Sequence, residues 1–261
     1  MDRGLSETLF PYFQPGEFRQ RAALVTGGSR GIGRAIARGL ALLGADLVVG
    51  YHQDQPSALS LQKEIVEQRG HCLLVQGDVS EQSTLEEMAG QALDHFGRID
   101  ILINNAGLLR DTLFLFLKEE DWDRVVNVNL KGVYWGCRAV VKTMIGQRFG
   151  RIINLTSPSA LLGRAAQTNY AAAKGGVVSF TRSLARELAH SRITVNALLP
   201  GVIRTEMFEG LPEKVRKELN HQIPTGRPGS PEEVVGAALF LASPRSGYIT
   251  GQIMAVDGGL T

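Results

Sequence analysis

Cysteine is scarce, with two in 261 residues. Cys72 and Cys137 lie far apart and have no CxxC context, which excludes a disulfide framework and fits reduced thiols in the cytoplasm. Charge of one sign is also lacking. Lys+Arg number 28 and Asp+Glu 26, a net charge of +2 with no block of like charge, so nothing marks the chain as a nucleic-acid binder. No apolar run approaches the roughly 18–20 residues of a spanning helix. The first twenty residues, MDRGLSETLFPYFQPGEFRQ, lack the long apolar stretch of a secretory signal. His95, His190 and His221 have no ligand spacing, and no metal site is expected. What remains is an ordinary globular composition, 44% hydrophobic and 21% charged, long enough for one large α/β domain or two small ones.

From Arg21 onward, strand-like and helix-like segments alternate. Ala22–Thr26, Ala45–Val49, Cys72–Val75, Asp100–Asn104, Arg151–Leu155, Thr194–Leu198 and Gln252–Val256 read as strands. Ile32–Leu43, Ala58–Gln68, Ser80–Phe96, a long stretch of about Glu119–Ile145, and Tyr170–Ala189 read as helices. Ser230-Pro231-Glu232-Glu233 opens another, with a capping serine, proline at the first position and glutamate three after the cap. This alternation predicts repeated βαβ units: one doubly wound, Rossmann-type α/β domain over residues 21–261, with a central, mostly parallel seven-stranded sheet. Residues 1–20, with Pro11, Pro15 and several aromatics, read as an N-terminal arm.

Gly27, Gly31 and Gly33 space a G-x-x-x-G-x-G loop between the first strand and the first helix. Glycines there allow the backbone to approach a pyrophosphate at the helix N-terminus. The end of the second strand reads Val48-Val49-Gly50-Tyr51-His52-Gln53, and no carboxylate occurs before Asp54. An acid at that point would select NAD through the ribose hydroxyl. Its absence, with Arg30 free in the loop to meet a 2′-phosphate, favours NADP over NAD.

Tyr170 and Lys174 stand at i and i+4, on one helix face. A lysine beside a phenol lowers a pKa near 10 and prepares it for proton transfer to a carbonyl or carbinol oxygen. Ser157 lies thirteen positions before Tyr170, just past a strand. Asn104-Asn105-Ala106-Gly107 closes the fourth strand, Asn129 lies in the long helical stretch, and Pro200-Gly201 follows the sixth strand. In a parallel sheet these strand ends share the edge where ligands bind.

With the glycine loop, Asp78-Val79, NNAG, Asn129, Ser157, YxxxK, Pro200-Gly201 and the terminal Val256-Asp257-Gly258-Gly259 in this order, the chain resembles the short-chain dehydrogenase/reductase family from Arg21 onward. The resemblance implies that Tyr170 is the general acid and Lys174 lowers its pKa and binds the nicotinamide ribose. It implies that Ser157 holds the substrate oxygen and that Asn129 positions a water that refills the proton. It places Gly27, Ser29, Arg30, Gly31, Ile32, Gly33 and Tyr51, the Asp78-Val79 pair at the adenine, and Asn105, Ala106 and Gly107 around the cofactor. Pro200, Gly201, Ile203 and Thr205 complete that set on the carboxamide side. Ser159 competes with Ser157 but has the wrong spacing and reads as a pocket residue.

Within the family the text is most similar to 3-oxoacyl-[acyl-carrier-protein] reductases, through TGGSRGIGRAIA, NNAG with Arg110-Asp111, TNYAAAKGG and SLARELA. This implies NADPH-dependent reduction of a 3-oxoacyl thioester on an acidic acyl carrier protein, by a homotetramer. Arg148 stands at one carrier-docking position; the other falls on Ser191, with Arg192 one place later. The apolar segment Leu113–Leu117, with Leu161 and Leu162, suits long acyl chains and a polyketide-like pathway, or else belongs to the core. Two alternatives stand beside this reading: a family member acting on a free ketone or alcohol, and a non-catalytic partner subunit that keeps the fold.

Overall fold

The computed structural model describes residues 12–261. Seven strands, β1 (Ala22–Val25), β2 (Asp46–Tyr51), β3 (Cys72–Gln76), β4 (Ile101–Asn104), β5 (Gly150–Leu155), β6 (Ile193–Pro200) and β7 (Ile253–Val256), form one sheet. Its order is β3-β2-β1-β4-β5-β6-β7, and every neighbouring pair is parallel. The order reverses between β1 and β4, where adjacent strands leave toward opposite sides and open a crevice at their C-terminal ends.

Short apolar runs become strands here because both sheet faces are covered. In β1, Ala23 and Val25 face one core and Leu24 the other, as the two-residue period requires. The first core holds α1 (Gly31–Leu42), α2 (Gln55–Glu67) and α10 (Pro231–Ala242). The second holds α3 (Gln82–Phe96), α5 (Gly132–Gln147) and α7 (Thr168–Leu188). Ser230 and Glu233 make the expected capping box at the start of α10. Among the described residues no helix is long and apolar enough to cross a membrane.

Three features depart from the sequence expectation. The stretch expected as one helix over 119–145 is α4 (Glu119–Val126), a π-helical turn at Asn127–Lys131, and then α5. Three short helices were not visible in the periodicity: α6 (Ser159–Leu162), α8 (Glu206–Glu209) and α9 (Glu213–Gln222). In α9 only Leu219 is buried, so there is little apolar period to read. The arm is described from Tyr12; its first eleven residues lie outside the described residues. Phe13 and Phe18 sink into the first core. Glu17 accepts a hydrogen bond from the Ser243 hydroxyl at 2.6 Å and pairs with Arg245, which ties the arm to the end of α10.

At the N-terminal edge of the sheet the carboxylate of Asp100 is fully buried. It accepts from Arg21 at 2.7 Å, from Arg98 at 2.6 and 2.7 Å, and from the Ala22 backbone at 3.0 Å. A buried charge persists only when it is paired and hydrogen-bonded in this way.

Candidate active site

The crevice between β1 and β4 is closed at its base by a polar clamp. The Thr26 hydroxyl accepts from the backbone N–H groups of Asn105 (3.0 Å) and Ala106 (3.1 Å). In return the Asn105 amide donates to the carbonyls of Thr26 (3.0 Å) and Gly27 (2.9 Å). Gly27 and Gly31 take positive φ, 60° and 55°, which a β-carbon would strain. Gly33 admits no side chain, because a β-carbon there would lie 2.4 Å from Asn105 Nδ2 and 2.5 Å from the Gly27 oxygen. The result is a bare backbone turn running into the N-terminus of α1, whose first turn carries no acidic residue.

Tyr170 and Lys174 share the first turns of α7, and Ser157 lies just beyond β5. Burial pushes the Tyr170 phenol up to about 12; the Ser157 side chain, hydrogen-bonded to it, pulls down, and the Asp111 carboxylate pushes up. The Lys174 ammonium is 3% exposed, donates to the Leu155 carbonyl at 2.9 Å, and is pushed down to about 8 by burial. Its Nζ lies 5.8 Å from the centre of the Tyr170 ring. This corrects one expectation. Lys174 is held by β5, and the group that lowers the phenol here is Ser157.

Asn129 sits in the π-helical turn, fully buried. Its amide nitrogen donates to the carbonyls of Leu108 and Val125, both at 2.9 Å. Its side-chain oxygen has no partner. Extra residues wound into a helix turn re-aim side chains, and such turns concentrate at functional sites. A β-carbon on Gly107 would fall 2.7 Å from that oxygen and 3.7 Å from Lys174 Nζ, so this glycine keeps open the space between Asn129 and Lys174.

The residues expected around a dinucleotide divide into those that face the crevice and those already engaged. Thr205 faces the glycine loop, with its methyl 3.4 Å from where a β-carbon on Gly31 would stand. Pro200 ends β6, the Gly201 N–H donates to the Val256 carbonyl at 2.9 Å, and Ile203 bridges to Gly229. Asp78 Oδ1 accepts from the Ser80 N–H (2.9 Å) and hydroxyl (2.7 Å), and Oδ2 accepts from Arg124 at 2.6 Å. Burial raises its pKa, but these bonds outweigh it and hold the carboxyl below its ordinary value. About one acceptor site of the carboxylate remains for another donor. Tyr51 departs from expectation: its ring is buried and its hydroxyl points to Gln76 Oε1 at 3.5 Å, toward β3. Asp54 caps α2, accepting from the Ser57 N–H at 3.1 Å. Arg30 lines a pocket of about 420 Å³ with Ser29, Arg34, Ser57 and Ser60, and meets Glu206 at 3.4 Å.

A family description, Enoyl-(Acyl carrier protein) reductase, matches residues 27–261. The chain belongs to the short-chain dehydrogenase/reductase family. Among curated relatives, a 3-oxoacyl-[acyl-carrier-protein] reductase of Synechocystis sp. is 46% identical, covering 92% of this chain and 96% of that one. One of Thermotoga maritima is 45% identical, covering 92% and 97%. A crystal structure from Agrobacterium tumefaciens, described as a proposed gluconate dehydrogenase, superposes with a TM-score of 0.89 at 36% identity, covering 95% of this chain and 98% of that one.

Two features of this short-chain dehydrogenase/reductase run against or beyond the sequence reading. Arg148 and Arg192 stand just before β5 and β6, while Ser157 lies just after β5. A six-residue strand separates them, so these arginines are about 20 Å away, at the opposite sheet edge. The exposed cations on the loops beside the cleft are Arg110 and Arg164. The second feature is a bridge that the sequence reading missed. Buried Gln167 accepts from the Ser159 hydroxyl at 2.7 Å and donates to Asp111 Oδ2 at 2.8 Å. Its one sequence signal is its place three residues before Tyr170.

Proposed function

We propose that this chain reduces a 3-oxoacyl thioester, carried on acyl carrier protein, to the 3-hydroxyacyl form, with NADPH as reductant. The observation that carries the reading is the phenol of Tyr170, protonated and hydrogen-bonded by Ser157 at the mouth of a glycine-lined crevice. Relatives at 45–46% identity bearing the reductase name support the substrate class.

The residues present fit a nicotinamide dinucleotide. The side-chain-free turn at Gly27, Gly31 and Gly33 suits a pyrophosphate, the remaining acceptor site of Asp78 suits an adenine amine, and Thr205 and Ile203 suit the carboxamide side. Arg30 suits a 2′-phosphate. The nearest carboxylate after β2, Asp54, is turned into a helix cap rather than toward a ribose, and this favours NADPH over NADH. The chemistry such a group supplies when bound is hydride donation to a carbonyl carbon.

The chain's own residues supply the rest. The hydroxyls of Ser157 and Tyr170 converge on the carbonyl oxygen and stabilise the charge that grows there. Tyr170 donates its proton to that oxygen. Lys174, fixed by Leu155, supplies a positive charge that stabilises the phenolate left behind. The unpartnered oxygen of Asn129 fits a water that passes a proton toward Lys174 through the space that Gly107 leaves. Carrier docking by Arg148 and Arg192 would serve the cleft of a neighbouring copy in a tetramer, while Arg110 and Arg164 would meet the acidic carrier at the chain's own cleft.

Reduction of a free ketone or oxidation of a free alcohol is the second reading, favoured by the Agrobacterium likeness. A non-catalytic subunit is disfavoured, because a scaffold has no need of the Ser157, Tyr170, Lys174 and Asn129 set. NADPH consumption with acetoacetyl-carrier protein, against NADH and a free ketone as controls, tests the reading. Rapid NADPH-dependent turnover of the carrier substrate is expected. Turnover of the free ketone alone would move the protein to the second reading.

A further inference from the structure

Six large apolar side chains stand exposed beside the cleft. Leu113 is 58% exposed, Phe114 74%, Leu115 85% and Phe116 67%, and on the facing loop Leu161 is 54% and Leu162 58%. The short 3₁₀ turn Phe114–Phe116 buries none of its residues. Scattered apolar residues on a surface are ordinary; a cluster of this kind has something to bind.

The two segments are tied to the reactive tyrosine and to each other. The Thr112 N–H donates to the Ala166 carbonyl at 2.8 Å, and the Asn169 amide donates to the Arg110 carbonyl at 3.1 Å. The Asn169 side-chain oxygen in turn accepts from the N–H of Tyr170 at 2.8 Å. Leu161 and Leu162 lie in α6, one turn past Ser157, with both N–H groups bonded to the Pro158 carbonyl at 2.9 Å. Between these segments runs the bridge Ser159–Gln167–Asp111. Gln167 is 3% exposed, and its amide uses one end for each loop. It is the one buried side chain described here that binds both loops at once. A side chain of equal volume without an amide would leave a buried hydroxyl and a carboxylate unpaired, and the loops free to part.

We propose that Leu113–Phe116 with Leu161 and Leu162 form an apolar wall that takes the hydrocarbon tail of a medium- or long-chain acyl substrate, and that Gln167 is the positioning residue that fixes this wall against the reactive end of the cleft. The proposal rests on the reductase reading for the identity of the head group. The occupant follows from continuity: both apolar segments start within a few residues of groups that hold the reacting carbonyl, so a chain leaving that carbonyl meets the wall directly. Each methylene laid on it strengthens binding by up to about fourfold.

The test compares 3-oxobutanoyl and 3-oxododecanoyl thioesters of carrier protein, using kcat/KM for each. The expected result is a wild-type preference of at least about tenfold for the longer chain. In Phe114→Ser/Phe116→Ser and in Gln167→Met that preference should fall toward one, mainly through the KM of the long substrate. Asp111→Asn, whose amide oxygen still accepts from Gln167, should retain it, which a merely structural loss would not. A wild-type ratio near one, or a ratio unmoved by the wall variants, overturns the proposal. If neither thioester is reduced, the reductase reading fails separately, and calorimetry of dodecanoyl- against butanoyl-pantetheine judges the wall. Tighter binding of the longer chain supports it, and equal or absent binding overturns it. Loss of oligomeric mass in the Phe114→Ser/Phe116→Ser protein would reassign the patch to a contact between copies, and wild-type sedimentation with lipid vesicles would reassign it to a membrane surface. Either result overturns the proposal.

Discussion

Lys174 donates its hydrogen bond to the backbone of Leu155, at 2.9 Å, and so is anchored to the sheet rather than to the tyrosine it accompanies. The anchor holds a cation at a fixed place in a buried setting, and burial brings its pKa down to about 8.

The first prediction concerns pH. Tyr170, at about 12, keeps its proton throughout the neutral range, whereas Lys174 loses its charge near pH 8. Turnover in the reductive direction should therefore decline as pH rises through about 8, and Lys174→Arg should move the decline upward while lowering the rate. Stability should run the other way. Between about 8 and the ordinary 10.5 the unfolded chain holds a proton that the folded chain has released, so this group's contribution rises with pH over that window. A kcat profile from pH 6 to 10 and urea midpoints at the same values check both. A flat kcat profile would remove Lys174 from the proton chemistry.

Removing the phenolic oxygen isolates the acid. Tyr170→Phe should lower turnover by about 10³-fold, within the range for a lost general acid, and leave dinucleotide affinity within about twofold. Stopped-flow reduction and fluorescence titration of NADPH measure the two parts separately. Near-normal reduction by this variant would sink the assignment.

Arg30 offers a charge at the glycine loop, opposed by Glu206 at 3.4 Å on an exposed rim. Arg30→Ala should raise the Kd for NADPH by about tenfold while NADH affinity changes little, since a charge-assisted phosphate contact is lost only from the former. Glu206→Gln should act in the opposite sense and tighten NADPH. Equal effects on both dinucleotides would show that Arg30 does not read the 2′-phosphate.

Far from the cleft, Asp100→Ala should cost about 3 kcal/mol of stability, because Arg21 and Arg98 would lose the buried carboxylate that they share. Denaturant unfolding gives the loss. The kinetic constants of the folded fraction should hold, because Asp100 precedes β4 whereas the reactive groups lie beyond the strands' other ends.

Much of the site was legible because chemistry and chain order coincide in it. The glycine loop, the NNAG turn, Ser157 and the Tyr170–Lys174 pair each lie at a strand end or on one helix face, and a short spacing rule finds them. The Gln167 bridge was not legible. Its partners, Ser159 and Asp111, are joined by loops of irregular shape, one of them passing through Ala166 at a φ of 68°. The π-helical turn was hidden for a related reason: a hydrophobic period reads continuously across a single local overwinding and cannot show which side chain it re-aims.

The sequence by itself determined that this is an alternating α/β chain whose strands carry reactive groups at their C-terminal ends, since apolar runs, turn glycines and helix periods are local properties. Tertiary structure decided what those groups do to one another. It joined Lys174 to Leu155, buried the phenol so that its proton is held tightly, and left the Asn129 oxygen without a partner. It also put Arg148 and Ser157, nine positions apart, on opposite edges of the sheet. Hydrogen-bond partners and burial are set by packing between elements distant in sequence, and no local pattern encodes them.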